Sequence, residues 1–404
     1  MSNRLPKRAS GFSLLEMVIS MALGTIVLGA AVQIYVQGVG ATWTVTQRAE
    51  LQQDFRAASN MLTKDLSLAG AGLGNGVAYA LPSAATPRYG CDQASCYLNS
   101  LPGTYPLQGA TPYLYGLIPG YNKGPTLNTT QGPTDVITVI YTDSGFYLNC
   151  YTTKATAKGV VTFYQPTPPA TWATAGCLPG TAVAPQAIND TVMGLTTGDL
   201  VLMTLGGNTI VGEVTGPVTT GTDVNGNTTY IVPFANNDAL KMNQTPNVEP
   251  DGKNGGVNNA DLNATGTASA APCGGTGPCR LLVITYYIDN TIAPPRLMRQ
   301  INGHSPMPVA ENVAYMKFTY DLFNDSTAAA AVGCQNPGVT GDVCVSGSSS
   351  GLLPNQITKI NIQNMAIDST LAGSQFGQNK GYQSMDLQTS VSARDLTYTN
   401  RYPN

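Results

Sequence analysis

From Phe12 to Val36 the chain is one apolar run, FSLLEMVISMALGTIVLGAAVQIYV, in which Glu16 is the only side chain charged at neutral pH. Beyond it the pattern turns amphipathic. Leu51, Phe55, Ala58, Leu62, Leu66 and Ala69 recur at steps of three and four, the spacing of one helix face, with Gln47, Arg48, Glu50, Gln53, Arg56 and Lys64 between them. No proline interrupts Phe12 to Ala69, so the two patterns predict one helix about 85 Å long, against about 30 Å for a bilayer core. Its first half, residues 12–36, is long enough to span a membrane, and its second, 37–70, is expected to pack on a soluble domain. Gly70, Gly72, Gly74 and Gly76 then stop the helix. They do not spell a phosphate-cradling G-x-G-x-x-G, and no strand precedes them. Gly24, Gly29, Gly38 and Gly40 each cost the helix roughly 1 kcal/mol against alanine. Close helix–helix contact and local unwinding both account for them.

After the helix the period changes to that of strands. Segments with strand character run from Asp135 to Thr142, Phe146 to Tyr151, Val160 to Tyr164, Asp199 to Leu205, Thr209 to Val214 and Thr228 to Val232. They resume at Leu281 to Ile288, Arg296 to Ile301, Val313 to Tyr320, Ile357 to Gln363 and Asp386 to Val391. Asn225-Gly226 marks a hairpin turn. Residues 77–134 read as a long decorated loop, 235–279 as a mobile insertion and 325–354 as a weakly structured one. The prediction is an α+β chain: a long helix packed on an antiparallel β-rich domain, residues 71–404, with long loops.

Composition narrows the function. Charged residues make up 11% of the 404, and the formal charge of −3 falls to −6 once the first eleven residues, with Arg4, Lys7 and Arg8, are removed. That balance argues against nucleic acid as a partner, because phosphate binding needs a basic surface. Eight cysteines outside the cytoplasm favour disulfides, and eight permit 105 connectivities. Nearest-neighbour pairing gives Cys91–Cys96, Cys150–Cys177, Cys273–Cys279 and Cys334–Cys344. With no C-x-x-C and one histidine, zinc is not expected. Asp223-Val-Asn225-Gly-Asn227 starts like a calcium loop but has Thr228 and Phe234 where the glycine and the closing acid belong, so it reads as a hairpin. Calcium elsewhere, around Asp251 or Asp261, is left open with no residue assigned, and no other cofactor is expected.

Candidate catalytic residues are equally sparse. Gly347-Ser-Ser349-Ser-Gly351 matches G-x-S-x-G, yet no apolar strand leads into it. The single histidine, His304, precedes it, and in NGHSP it reads as a solvent-facing turn residue. No enzyme is expected. The 20 tyrosines suit either a binding surface or ordinary strands.

The N-terminus carries the strongest signal. Arg4, Lys7 and Arg8 hold the leader, residues 1–11, on the cytoplasmic side. A secretory signal would be cut after its apolar run, whereas here the small residue, Gly11, stands before it. A cut after Gly11 would put a new ammonium on Phe12. A carboxylate in hydrocarbon costs roughly 2.5–3.5 kcal/mol, so Glu16 needs a partner, and that ammonium on a neighbouring subunit is the natural one. The pairing is expected to fail if the acid is bonded within its own chain or faces water in the assembled fibre.

Gly11-Phe12-Ser13-Leu14-Leu15-Glu16 resembles the class III prepilin processing site of type IV pilins and type II secretion pseudopilins. The resemblance implies that a membrane-embedded prepilin peptidase cuts after Gly11, that Phe12 is then N-methylated, and that Glu16 pairs with a neighbour's N-terminus during assembly. DFRAASNMLTKDLSLAG at the helix end is similar to the PilW-type minor pilins, which often show a DLR-x-AG-like sequence there. GDLVLMTLGGNTIVGEVTG, VITYYIDN, PRLMRQING, PVAENVAYMKFTYDL and LQTSVSARDLTYTNRY are similar to later blocks of that family. J-type pseudopilins share much of the layout. The implied role is that of a minor pilin, in initiation of pilus assembly or in the tip complex. The implied partners are the peptidase, the major pilin, other minor pilins and a tip adhesin. The implied location is the inner membrane, single-pass, then an extracellular pilus or a periplasmic pseudopilus. A membrane-tethered adhesin or enzyme is the more distant alternative.

Overall fold

The computed structural model describes residues 11–73, 78–80, 87–98, 113–143, 145–146, 148, 151–157, 159–165, 186–205, 208–236, 238–243, 278–324, 326–339, 341–368, 384–393 and 396. They fall into two compact units, the first holding Met1–Gln53 and the second Asp54–Asp368 with Ser384–Asn404. What is described of the first unit is helix: α1 begins at Leu14 and runs to Ser67 in the second. An 18-residue window in α1 has a mean hydropathy of 2.1 and none of it is buried, so by length and composition the helix can cross a membrane. The fold is the expected α+β class, a long apolar helix followed by antiparallel sheets.

Within the second unit, Ala58, Leu62, Leu66 and Ala69 are fully buried, so the face expected from their spacing is the face that packs. Leu68 and Ala69 switch to bonds three residues back, onto Asp65 and Leu66, which tighten the helix end. The chain then docks on a strand through Gly70 N–H to the Ile140 carbonyl and Thr142 N–H to the Ala71 carbonyl, both 2.9 Å. Gly72 sits at φ +71 with Thr142 Oγ1 where a Cβ would stand, so both backbone and space require glycine there. Gly74 and Gly76 lie outside the described residues.

The helix end lies on a seven-stranded sheet whose hub is β13 (Cys279–Asp289). Its first residues pair with β9 (Leu200–Leu205), its middle with β6 (Val136–Thr142) and its end with β14 (Arg296–Ile301), all antiparallel. β10 (Asn208–Glu213), β15 (Met307–Glu311) and β3 (Leu117–Gly120) complete it. The run Val-Ile-Thr-Val-Ile-Tyr of β6 is buried at every position, which explains why it is continuously apolar instead of alternating. Two Thr hydroxyls in the interior, Thr138 and Thr285, satisfy each other across the β6–β13 ladder at 2.9 Å.

A four-stranded sheet, β11 (Thr219–Thr222), β12 (Thr228–Pro233), β8 (Val160–Tyr164) and β7 (Thr152–Ala157), packs its apolar side against β9 through Val161, Phe163, Tyr230, Val232, Val201 and Met203. Asn225-Gly226 forms the expected turn between β11 and β12, with Gly226 at φ +85. The strand expected from Phe146 to Tyr151 starts later, at Thr152. Phe146, Leu148 and Tyr151 are buried plugs of this same core, and their apolar character reflects that burial, not a ladder.

A five-stranded sheet runs β18 (Ser346–Gly347), β17 (Ala329–Cys334), β16 (Val313–Asn324), β19 (Ile357–Asp368) and β20 (Ser384–Ser392). The stretch expected as a weakly structured insert, 325–354, thus contributes two strands. The stretch expected as a loop, 77–134, contributes β1 (Ala78–Ala80), β2 (Tyr113–Tyr115), β4 (Thr126–Asn128) and β5 (Gly132–Pro133) besides β3. These strands are short and rich in Gly, Pro and Tyr, so no period-2 signal marks them. Most of 235–279 lies outside the described residues.

Candidate functional site

The N-terminal motif opens the helix. Gly11, Phe12 and Glu16 are exposed, Phe12 at 91%. Ser13 is the N-cap and Glu16 the third helical residue. Ser13 N–H donates to Glu16 Oε2 at 3.1 Å, and Leu15 N–H donates to Ser13 Oγ at 3.3 Å. This is a capping-box arrangement, S-x-x-E, with the hydroxyl on the second helical amide instead of the third, and it satisfies donors that a helix start otherwise leaves open. Glu16 therefore does have a partner within its own chain, and the expectation of an intrachain-unbonded acid is corrected. The signal was present in the order Ser13, Leu14, Leu15, Glu16. The bond is to a neutral amide through one oxygen, while Oε1 has no partner among the described residues. A carboxylate offers about four acceptor positions, so capping neither cancels its charge nor fills its acceptor capacity.

The second polar constellation fastens the helix to the sheet. Asp65, 2% exposed, accepts from Tyr286 Oη at 2.6 Å and Arg299 Nε at 2.8 Å through Oδ2, and from Tyr141 Oη at 3.2 Å through Oδ1. Register puts Tyr141 on β6, Tyr286 on β13 and Arg299 on β14, so one helical carboxylate gathers three strands. Burial, then the Asp65 charge, pushes both tyrosine hydroxyls well above their usual range. Burial alone would pull Arg299 down, but its bond to Asp65 and that group's charge carry it above its ordinary value. Asp65 lies in the DLSLAG stretch, where the resemblance concerned pattern only.

Other polar groups tie loops to sheets. Burial pushes the Asp135 carboxyl up against the opposing pull of Lys317, whose Nζ lies 2.7 Å away. Asp199 Oδ1 sits 2.9 Å from His304 Nε2 and Asp199 Oδ2 accepts from Thr196 N–H, and these bonds hold its carboxyl low in spite of burial. His304 is thus a paired turn residue, not simply a solvent-facing one. Ser349 is buried and donates to Asp342 Oδ2 at 2.7 Å, an arrangement of loop closure in which the histidine takes no part. Asp223 accepts from the Asn225 and Asn227 amides and from Asn227 Nδ2, bonds internal to the hairpin.

Cys91 is bonded to Cys96 and Cys334 to Cys344. Cys279 is also disulfide-bonded, with its partner outside the described residues, where Cys150, Cys177, Cys273, Asp251 and Asp261 also lie. The short loops that these bridges close are docked. Asp92, inside the first, accepts from the Ala94 and Ser95 amides, from Tyr97 Oη at 2.6 Å and from Ser305 Oγ at 3.0 Å. Asp342 of the second lies within ligand range of Cys334 and Cys344, but those sulfurs are joined to each other and present no thiolate.

Residues 6–32 match the family model described as the prokaryotic N-terminal methylation motif. The match covers the end of the basic leader with Lys7 and Arg8, the Gly11–Glu16 site and the first turns of α1, and it supports a type IV pilin-like or pseudopilin protein whose precursor is membrane-anchored and cut by prepilin peptidase. Comparison with curated proteins and with solved structures returned no match.

Proposed function

We propose that this chain is a minor pilin of the PilW type, which enters a type IV pilus at its initiation or in its tip complex. Peptidase cuts after Gly11, Phe12 is methylated, and Glu16 receives the new ammonium of an adjoining subunit while the apolar half of α1 packs into the filament core. The observation that carries the reading is the methylation motif over residues 6–32, set on a 54-residue helix that leads into a β domain. The large domain favours a low-copy subunit near the tip, because bulky decoration would crowd a helical lattice. Partners on this reading are the major pilin, other minor pilins and a tip adhesin. A J-type pseudopilin of type II secretion shares the same motif and layout. Antibody labelling of sheared pili against a secretion assay in a deletion strain separates the two.

Mass spectrometry of the subunit from peptidase-positive cells tests the processing step. The expected mature chain begins with N-methylated Phe12; an intact Met1 in those cells would remove the proposal.

A further inference from the structure

Antiparallel sheets must manage their edges, since an open edge strand presents unpaired N–H and C=O groups to any passing strand. Most edges here are blunted. β11 has four residues and β18 two, β7 carries Lys154, β15 carries Pro308 and Glu311, and β3 carries Pro119. β20 is different. It is nine residues long, Ser-Met-Asp-Leu-Gln-Thr-Ser-Val-Ser, with no proline and one charge, and among the described residues it pairs with β19 alone.

Its two rows are also unequal. Register sets Met385, Leu387, Thr389 and Val391 beside Ile367, Met365, Ile362 and Ile360 of β19. Those four β19 residues are at most 1% exposed, whereas their β20 neighbours are only partly buried. Among the described residues, the apolar row that is buried one strand inward is left partly uncovered at the edge. Ser384, Asp386, Gln388, Ser390 and Ser392 form the opposite, exposed row.

We propose that a second copy of this chain covers that edge, β20 pairing antiparallel with β20 about a twofold axis at Gln388 to give one continuous ten-stranded sheet. The strand is self-complementary in this register. Met385 meets Val391 of the partner and Leu387 meets Thr389, so the same row of the two copies closes over itself on one face. Ser384 meets Ser392, and Gln388 meets itself, an amide that both donates and accepts. The single charge, Asp386, meets Ser390, not its own copy. A register centred on Asp386 would oppose two carboxylates, which is unfavourable across a ladder, and one centred on Leu387 would pair fewer residues. The inference uses no residue of the N-terminal motif and stands or falls apart from the processing step.

Cysteine pairing in the full-length, membrane-extracted chain tests the register. In the proposed pair the two copies of residue 388 are directly opposite, about 4.5–5.5 Å between Cα atoms, within disulfide reach. The two copies of residue 386 are offset by four residues, about 13 Å, beyond it. Mild oxidation should convert most of Gln388→Cys to a covalent dimer and leave Asp386→Cys and Ser390→Cys as monomers when each is alone. A mixture of those last two should cross-link. Adding Gln388→Lys to that mixture should abolish the cross-link through like charges on the axis, with the melting temperature of the exposed-site variant unchanged. No dimer from Gln388→Cys, equal cross-linking at all three positions as helix-driven association would give, or a product of Gln388→Cys with a protein of different mass would each overturn the proposal.

Discussion

Glu16 stands at a helix start where two demands meet on one carboxylate. The capping box uses its Oε2 for the Ser13 amide, and the proposed assembly contact needs its charge. Substitutions separate the two. Ser13→Ala removes the hydroxyl cap, worth about 1 kcal/mol, and leaves the charge, so incorporation into filaments should stay near wild type. Glu16→Gln keeps an acceptor for the Ser13 amide, as a capping box tolerates, but has no charge, so incorporation should fall severely. Immunoblots of sheared filaments against total subunit measure both. Equal incorporation of the Gln variant would leave capping as the sole role of this residue.

The element that joins the parts of the second unit is the last three turns of α1. Apolar burial of Ala58, Leu62 and Leu66 holds it to the sheet, and Asp65 fixes where along the sheet it sits. Asp65→Ala would leave Arg299 buried without its counter-charge and two tyrosine hydroxyls without their acceptor. Breaking a buried pair from one side costs about 3–5 kcal/mol, so urea denaturation should show a loss of that order. Asp65→Asn, which retains an acceptor, should lose less. A midpoint unchanged by Asp65→Ala would mean that the apolar face alone sets the docking. The face itself was legible from the three-and-four spacing. The clamp was not, because Tyr141, Tyr286 and Arg299 lie between 76 and 234 residues from Asp65 in the chain.

For the molecule as a whole, stability should depend on pH through Glu213 and Asp238. Glu213 is fully buried at the end of β10, with Gly303 packed so closely that a Cβ there would stand 2.5 Å from Oε1. Gln93 Nε2 and the Ala239 and Leu240 amides donate to it, the Met242 and Asn243 amides donate to Asp238, and Asn243 bonds the β10 backbone. Burial, then the charge of Asp238, pushes the Glu213 carboxyl up to about 9 from an ordinary 4.5. The folded chain thus binds a proton that the unfolded chain releases between those values. This contribution to stability is complete below about pH 4.5 and is lost as pH rises through about 9. Glu213→Gln, neutral throughout, should flatten the fall in unfolding free energy across that window. A slope equal to that of the wild type would show that the proton resides elsewhere.

Local order in the chain determined a good deal. A strand's period, a helix's stripe, a Gly-led apolar run and an Asn-Gly turn each depend on residues a few positions apart, and they announced α1, β6, β13, β14 and the β11–β12 hairpin. The S-x-x-E cap was written there too, at Ser13 and Glu16. What only the tertiary structure decided is everything that needs distant residues to meet: Asp65 on three strands, His304 on Asp199, Glu213 on Asp238, and the choice of which strand is left at an edge. Short strands such as β3 and β17 take their conformation from the neighbours that pair with them, and burial of Phe146 and Tyr151 comes from a core that no local pattern encodes. Periodicity reports the side a residue turns inward; it is silent about what it meets there.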